Sequence, residues 1–132
     1  MKTLNFSIIS PEKELYRGLI TEVLTESNNG FIQILPDHMD VIVVLKPSIT
    51  SFKQEDGKEL KAFTSDGIMT VKNNLVSILC DSCEWPENID LMRAEEAKRR
   101  AEDRLKTDSN IDKLRAEIAL KKAMARIKVK SK

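Results

Sequence analysis

The segment WPENIDLMRA, residues 85–94, divides the chain into two parts whose hydrophobic patterns have different periods. Before it, apolar and polar side chains alternate, as in Leu4-Asn5-Phe6-Ser7-Ile8, which is typical of a strand with one buried face. After it no Gly or Pro occurs, and the good helix formers Ala, Leu, Glu, Lys and Arg dominate. The sequence therefore predicts an α+β fold, with an N-terminal antiparallel β-sandwich over residues 1–86 and a C-terminal antiparallel two-helix hairpin over residues 88–132.

Short apolar segments separated by turn-forming residues make up the predicted sandwich. Asn and Gly accept the positive φ that tight hairpins need, as in Asn28-Asn29-Gly30 and Asn73-Asn74. The predicted strands are Leu4–Ile8, Leu19–Leu24, Phe31–Leu35, Val41–Leu45, Ile49–Phe52, Leu60–Phe63, Gly67–Val71 and Leu75–Leu79.

Two helices are predicted in the second part, separated at Thr107-Asp108-Ser109-Asn110. Ser109 and Asp112 resemble a capping box that opens the second helix. The predicted buried positions are Leu91, Ala94, Ala97 or Lys98, Ala101 and Leu105 in the first helix, and Ile111, Leu114, Ile118 and Ala125 in the second, with Leu120, Ala123 and Ile127 beside them. Alanine-rich stripes bury little area, at about 25 cal/mol per Å², so we expect a marginal hairpin that can detach.

The charge reverses sign at the same boundary. Residues 1–88 carry 13 Asp/Glu and 8 Lys/Arg, a net of −5, whereas residues 89–132 carry 8 and 14, a net of +6. Two parts that face different partners are indicated.

The longest apolar run, Val41–Leu45, is far below the roughly 20 residues of a membrane span. With no signal-like apolar segment after Lys2, we expect a cytosolic protein or one on the cytosolic face of a membrane assembly.

Several segments, in order along the chain, resemble the epsilon subunit of the bacterial and chloroplast-type rotary (F-type) ATP synthase. They are Phe6–Glu12 with Leu15–Gly18, Gly30–His38, Ser65–Val71, Val76–Asp81, Ile89–Ala94 and Lys122–Ile127. The chain departs from the family pattern at three positions. Gln33 stands where a second glycine is common, Asp40 where a proline often follows the histidine, and Lys122 where arginine is frequent.

The resemblance implies a non-catalytic central-stalk (rotor) subunit that couples ion-driven c-ring rotation to ATP synthesis. Residues 1–86 would dock on the gamma subunit and the c-ring, with Pro36, Asp37 and His38 at that interface. Residues 88–132 would form a mobile regulatory hairpin that extends to inhibit ATP hydrolysis. The expected partners are the gamma subunit, the c-ring and the alpha and beta subunits, at the cytoplasmic face of the bacterial inner (cell) membrane without direct membrane insertion.

Two sets of site residues follow from the resemblance. The basic residues Arg115, Lys121, Lys122, Arg126 and Lys128 would meet an acidic loop of the beta subunits. A regulatory ATP would bind the folded hairpin through Glu84, Asp90, Arg93, Ala94, Lys122 and Arg126. For Asp90 and Arg93 the alternative is helix capping and an intrahelical ion pair. We expect no catalytic residue, because no Gly-x-x-x-x-Gly-Lys-Ser/Thr loop is present.

Other function classes have weaker support. Cys80-Asp81-Ser82-Cys83 could indicate a redox or zinc enzyme, but residues three apart in a strand point to opposite faces, and a redox pair needs a helix N-terminus. A zinc site would need two more ligands, but the only histidine, His38, is distant in sequence and no second cysteine pair exists. His38 is also not accompanied by the residues of a catalytic site. We therefore expect two reduced structural cysteines and no metal. The basic last helix lacks interleaved aromatics, so nucleic acid is not an expected partner. A free-standing β-sandwich adaptor that binds another protein through its hairpin is the main alternative.

Overall fold

The computed structural model describes residues 2–107 and 110–131, and the side chains of these except 107 and 110–112. The strands are β1 (Leu4–Ile9), β2 (Glu14–Ser27), β3 (Gly30–Ile34), β4 (Val41–Leu45), β5 (Ser48–Gln54), β6 (Glu59–Thr64), β7 (Gly67–Lys72), β8 (Leu75–Cys80) and β9 (Cys83–Glu84). A 3-10 turn (Pro86–Asn88) leads to helices α1 (Leu91–Thr107) and α2 (Asn110–Ser131).

The strands form one hydrogen-bonded sheet that folds on itself into a sandwich. Its order is β1-β8-β7-β4-β2-β5-β6-β9, with β3 and β1 also paired to β2. The long strand β2 changes partner along its length, since its first half pairs with β1 and its second half with β3 and β5. All strand pairs are antiparallel except β1–β8, which is parallel. Strand β1 thus has β2 on one side, antiparallel to it, and β8 on the other. The sheet is therefore mixed at that one pair.

Alternation of buried and exposed side chains gives the sandwich its core. Four aromatic rings meet at its centre, with centroids 5.0 Å apart for Phe6 and Phe52, 4.6 Å for Tyr16 and Phe52, and 6.4 Å for Phe52 and Trp85. Off-centre tilted contacts of this kind add stability beyond the buried area. The other buried side chains of this core include Leu4, Ile8, Ile20, Val23, Ile34, Leu45, Met69, Val76 and Ile78.

Most predicted strands are confirmed within a few residues of their ends. The turn residues Asn73 and Asn74 have φ of 51° and 62°, as their amino-acid type predicts for the β7–β8 hairpin. Strand β2 is longer than predicted, since it begins at Glu14, and β9 and the 3-10 turn were not predicted. The polar residues at the two ends of β2, such as Arg17 and Glu26, hid its full length from a search for apolar runs.

The two helices are confirmed, but the prediction of which residues they bury was partly wrong. Ala94, Ala101, Ala116 and Ala123 are buried, whereas Leu114 is 66% exposed and Leu91 is 38% exposed. Small side chains allow the two helices to approach closely, which leaves the bulkier leucines at the edge of the contact. Asp108 and Ser109 lie outside the described residues, as does the side chain of Asp112, so the proposed capping box stays a prediction.

Helix α2 holds the hairpin against the sandwich. It packs on β5, β6 and the 3-10 turn. The apolar part of this contact is a small cluster in which Ala125 and Val129 meet Phe63 and Ile89, with Ile49 beside them. Two of these five side chains come from α2, and one of those is an alanine, so the apolar contribution to docking is small.

Gly67 is needed for the close approach of β7 to β8. A Cβ at this position would lie 2.1 Å from the Leu79 carbonyl oxygen and 2.7 Å from Cys80 Cα, so Gly67→Ala should force the strands apart. We expect it to lower the free energy of unfolding by about 3 kcal/mol or more, as overpacking against backbone does. Urea unfolding followed by Trp85 fluorescence measures this loss.

Gly57→Ala is the matched control, because a Cβ at Gly57 meets nothing within 4 Å and only its φ of 88° is unfavourable. It should cost about 1–2 kcal/mol, the penalty of a left-handed residue. Equal losses for the two variants would contradict a steric role for Gly67.

Candidate functional site

Two basic side chains of α2 are held by three acidic side chains of the sandwich, Asp66, Asp81 and Glu84, which we call the acidic rim. Lys122 Nζ lies 3.0 Å from Asp81 Oδ2 and 3.4 Å from Asp66 Oδ1. Asp81 and Glu84 lie where β8 ends and β9 begins, and Asp66 lies in the β6–β7 turn beside them. The two segments are joined by a hydrogen bond from Asp81 N to Asp66 O at 3.1 Å. One lysine is therefore clamped between two strand connections.

Arg126 makes the most extensive contact of the hairpin with the sandwich. Its Nε donates to Glu84 Oε1 at 2.6 Å, and its Nη2 donates to Ser82 Oγ at 3.4 Å. The guanidinium also lies over the Phe63 ring, 4.4 Å from the centroid. The Arg126 and Glu84 side chains are 27% and 26% exposed, so water screens this pair less than a surface pair. Planar stacking and a directed hydrogen bond require arginine at this position.

A cleft of about 380 Å³ opens beside this contact, between α1, α2 and the segment that follows β9. Its lining combines three guanidinium groups with three carboxylates and small alanines. The lining residues are Glu84, Asn88, Ile89, Asp90, Arg93, Ala94, Glu96, Ala97, Arg100 and Arg126. The volume is within the range of small-molecule sites in proteins.

The structure brings together five of the six residues assigned to ATP from the sequence, namely Glu84, Asp90, Arg93, Ala94 and Arg126. The sixth, Lys122, does not line the cleft and points instead to Asp66 and Asp81. Asp90 also acts as a helix cap, because its Oδ1 accepts a hydrogen bond from Arg93 N at 3.2 Å. Capping and cleft lining thus occur together at this residue.

Sequence reasoning missed five cleft residues, which are Asn88, Ile89, Glu96, Ala97 and Arg100. Glu96, Ala97 and Arg100 follow Arg93 at i+3, i+4 and i+7, the spacing of one helix face. The helical periodicity of Arg93 and Arg100 was the signal that could have found them.

The basic residues assigned to a beta-subunit contact divide into two groups. Arg115, Lys121 and Lys128 are exposed on α2, whereas Lys122 and Arg126 are half-buried on the sandwich. In this arrangement only the first group can meet an outside acidic surface. The second group is engaged by the acidic rim.

The turn with Pro36, Asp37 and His38 lies at one end of the sandwich. Asp37 has a φ of 66°, its backbone N–H donates to Asn74 Oδ1 at 2.6 Å, and its carboxylate pairs with Lys2. The hydrogen bond from Lys2, and then that from Asn74, lowers the pKa of Asp37 below its ordinary value. Because the pKa of Asp37 is lowered in the folded chain, its pairing stabilises the turn at neutral pH. This stabilisation is lost as the pH falls through the folded-state pKa of Asp37.

An exposed apolar face lies on the β4–β7–β8 part of the sheet, and sequence reasoning missed it. Val44 pairs with Ile68, and Ile68 pairs with Leu79, so these three side chains form a row across the strands. They are 57%, 45% and 53% exposed, and Ile42 beside them is 74% exposed. Strand β4, Val41-Ile42-Val43-Val44-Leu45, is apolar at every position, which is typical of a strand covered on both faces. That continuous run was the available signal.

The two cysteines lie together, so the expectation that they point to opposite faces was wrong. Cys80 ends β8 and Cys83 begins β9, and the connection between them turns the chain. Both are free and buried in the same core cluster, and Cys80 Sγ donates to the Ile9 carbonyl oxygen at 3.8 Å.

Among residues 2–107 and 110–131, no three His, Cys, Asp or Glu side chains are grouped so that they could hold a metal ion. Neither helix, over its described residues, is long and apolar enough to cross a membrane.

Comparison with known proteins covers nearly the whole chain. The family "ATP synthase, Delta/Epsilon chain, beta-sandwich domain" matches residues 3–86, and "ATP synthase, Delta/Epsilon chain, long alpha-helix domain" matches residues 87–131. The ATP synthase epsilon chain of Clostridium kluyveri is 55% identical over 104 residues, which are 79% of each chain. That of Clostridium acetobutylicum is 48% identical over 104 residues, 79% of this chain and 78% of the other.

Solved structures share the fold at low sequence identity. A chain in the Euglena gracilis mitochondrial ATP synthase (OSCP/F1/c-ring) gives a TM-score of 0.82 at 19% identity, over 95% of this chain and 79% of that one. A chain in the central stalk/c-ring of the Tetrahymena thermophila mitochondrial ATP synthase gives 0.73 at 14% identity, over 98% and 99%.

Lys122 and Arg126 should control whether the hairpin stays docked. Lys122→Ala with Arg126→Ala removes both ionic contacts and should weaken docking by about 1–2 kcal/mol, which raises amide hydrogen exchange in α2 about tenfold. Hydrogen-exchange mass spectrometry of peptides from 113–131 provides the measurement. Arg115→Ala, on the exposed side of the same helix, should leave exchange unchanged; an equal rise there would mean that α2 frays for reasons unrelated to the acidic rim.

Proposed function

Because the chain belongs to the delta/epsilon chain family of ATP synthase, we propose that it transmits rotation through the central stalk and restrains ATP hydrolysis with its hairpin. It is a non-catalytic subunit. The alternative of a free-standing adaptor is not favoured, since both parts of the chain match domains of one ATP synthase family. The observation that carries the hairpin proposal is the engagement of Lys122 and Arg126 by the acidic rim.

The hairpin is held by interactions that a competing partner can replace. Its apolar contact with the sandwich is small, and partly exposed ion pairs contribute about 1 kcal/mol or less each. A docked and an extended hairpin therefore differ by a few kcal/mol, a gap that differential binding can reverse. An acidic surface on the beta subunits would take Lys122 and Arg126 from the acidic rim and add Arg115, Lys121 and Lys128.

The sandwich is the part that we propose to dock on the gamma subunit and the c-ring. Its exposed apolar face, Val44, Ile68 and Leu79 with Ile42, is of the kind that a stable protein partner covers, and we assign the gamma subunit to it. The turn of Pro36, Asp37 and His38, stiffened through Asn74, is assigned to the junction with the c-ring. We propose that the subunit lies peripherally on its complex, at the cytoplasmic face of the bacterial inner membrane.

A regulatory ATP is proposed for the cleft. Arg93, Arg100 and Arg126 can fork hydrogen bonds onto phosphate oxygens, whereas Ala94 and Ala97 leave room for a flat base. ATP bound there would contact α1, α2 and the segment after β9 at once, and so would stabilise the docked hairpin. Arg126 would share itself between Glu84 and the ligand. No residue transfers a phosphoryl group, so ATP would act as a signal.

Hydrolysis by a cognate synthase core tests the brake directly. The core, depleted of this subunit, is supplied with the full chain or with a version that ends at Asn88. We expect the full chain to lower the hydrolysis rate severalfold and the shortened chain to bind without lowering it, because the gamma-facing surface is intact and the α2 cations are absent. Co-sedimentation with the core reports binding separately.

Equal hydrolysis with both versions, each bound, would limit the subunit to coupling. Failure of both to bind a competent core would contradict the docking proposal itself.

ATP should raise the melting temperature of the full chain through the cleft. We expect Arg100→Ala to abolish most of this shift, since it removes one of three phosphate-directed guanidiniums. Arg99→Ala is the matched control, because Arg99 is the adjacent arginine and does not line the cleft. No ATP-dependent shift in the parent chain, or an equal loss in both variants, would contradict the site.

A further inference from the structure

Cys80 and Cys83 lie on either side of two residues that bind the hairpin. Between the cysteines are Asp81, which pairs with Lys122, and Ser82, which accepts from Arg126. Directly after them is Glu84, which pairs with Arg126 at 2.6 Å. The segment from Cys80 to Glu84 therefore makes three of the four polar contacts with Lys122 and Arg126, and Asp66 makes the fourth.

The connection is fixed to its neighbours with little freedom. Ser65 N donates to Ser82 O at 3.0 Å, and Ser82 N donates to Ser65 Oγ at 2.7 Å. Gly67 packs so closely against Cys80 that a Cβ added at Gly67 would lie 2.7 Å from Cys80 Cα. A change in the path from Cys80 to Cys83 must therefore shift Asp81, Ser82 or Glu84 relative to α2.

The two thiols are chemically unequal. The hydrogen bond from Cys80, followed by that from Ser10 and the charge of Lys13, lowers the pKa of Cys83 to about 7 in spite of its burial. The interaction with Cys83, together with burial, raises the pKa of Cys80. Cys83 is thus the nucleophile and Cys80 the thiol that follows, which is the division of roles in a disulfide-forming pair.

Access to the thiols requires only local opening. Strand β9 has two residues, lies at the end of the strand order and pairs with β6 alone. Short edge segments open at a small fraction of the cost of global unfolding. The hairpin closes this edge through Lys122 and Arg126, so release of α2 should make opening easier.

We propose that Cys80 and Cys83 form a disulfide by reaction with a small-molecule disulfide, and that this modification loosens the docked hairpin. The Cys83 thiolate attacks one sulfur of oxidised glutathione and releases one glutathione thiolate. The Cys80 thiol, as it loses its proton to solvent, then attacks the Cys83 sulfur and releases the second glutathione. The protein loses two hydrogens and two electrons, and one glutathione disulfide becomes two thiols.

The disulfide loosens docking through geometry. It holds the sulfurs about 2.0 Å apart, closer than two unbonded thiols can lie, so the connection between them contracts. We expect this contraction to displace Asp81 and Ser82 from Lys122 and Arg126. By linkage, a docked hairpin must oppose disulfide formation to the same extent that the disulfide opposes docking.

The test uses the full chain incubated with oxidised glutathione under native conditions. Mass spectrometry should show the loss of two hydrogens, and hydrogen exchange in 113–131 should rise about fivefold or more, the lower end of typical coupling between two sites. Reduction with dithiothreitol should reverse both. Cys80→Ser should stop at a mixed disulfide of Cys83 with glutathione, and Cys83→Ser should greatly slow the reaction.

Three results would overturn the proposal. A disulfide that forms only in denaturant would show that the folded connection forbids it. A disulfide with no change in α2 exchange would show that the pair is uncoupled from docking. An unchanged equilibrium fraction of disulfide, in a buffer of reduced and oxidised glutathione, for Lys122→Ala with Arg126→Ala would refute the linkage. These readouts do not involve ATP hydrolysis, so they stand apart from the success or failure of the proposed brake.

Discussion

The hydrogen-bonded ion pair between Arg126 and Glu84 is the interaction on which the arrangement of the two parts depends. The apolar contact between α2 and the sandwich is built from Ala125, Val129 and few partners, and it is too small to fix the hairpin by burial alone. Arg126 adds a short ionic hydrogen bond, a second bond to Ser82 and a stacked contact with Phe63. Because these interactions are directional, they give one defined docked position, and we propose that an acidic surface of a partner competes for Lys122 and Arg126.

The short segment from Cys80 to Glu84 connects the features of the molecule that bear on regulation. Asp81 and Glu84 supply two of the three carboxylates of the acidic rim, and Glu84 also lines the cleft. The apolar face of Val44, Ile68 and Leu79 lies on strands β4, β7 and β8, whereas α2 packs on β5 and β6. We propose that the sandwich stays bound to one partner through this face while the hairpin changes position. A ligand in the cleft and oxidation of the thiols would act on this same contact in opposite directions.

Sequence patterns predicted the two-part architecture and most strands, because period-two and period-3.6 burial are local properties. They failed where tertiary contacts decide. Helix–helix packing selected Ala116 over Leu114, and the turn at residues 81–82 brought two cysteines into one buried cluster that a straight strand would separate. Five of six proposed ATP residues meet in one cleft, but Arg100 was missed, since its proximity to Arg126 follows from how α1 crosses α2. Lys122 was misplaced because the acidic rim that binds it is assembled from two separate strand connections.

The most direct test of the account removes the acidic rim and keeps every basic residue of α2. A cognate synthase core is reconstituted with the full chain or with Asp81→Asn/Glu84→Gln, and the ATP hydrolysis rate is measured at low and high salt. The account predicts stronger inhibition by the variant at low salt, because Lys122 and Arg126 are released from the sandwich, and a loss of inhibition as salt screens their new contact. Inhibition equal to or weaker than that of the parent chain, with binding to the core unchanged, would contradict competition between docking and braking.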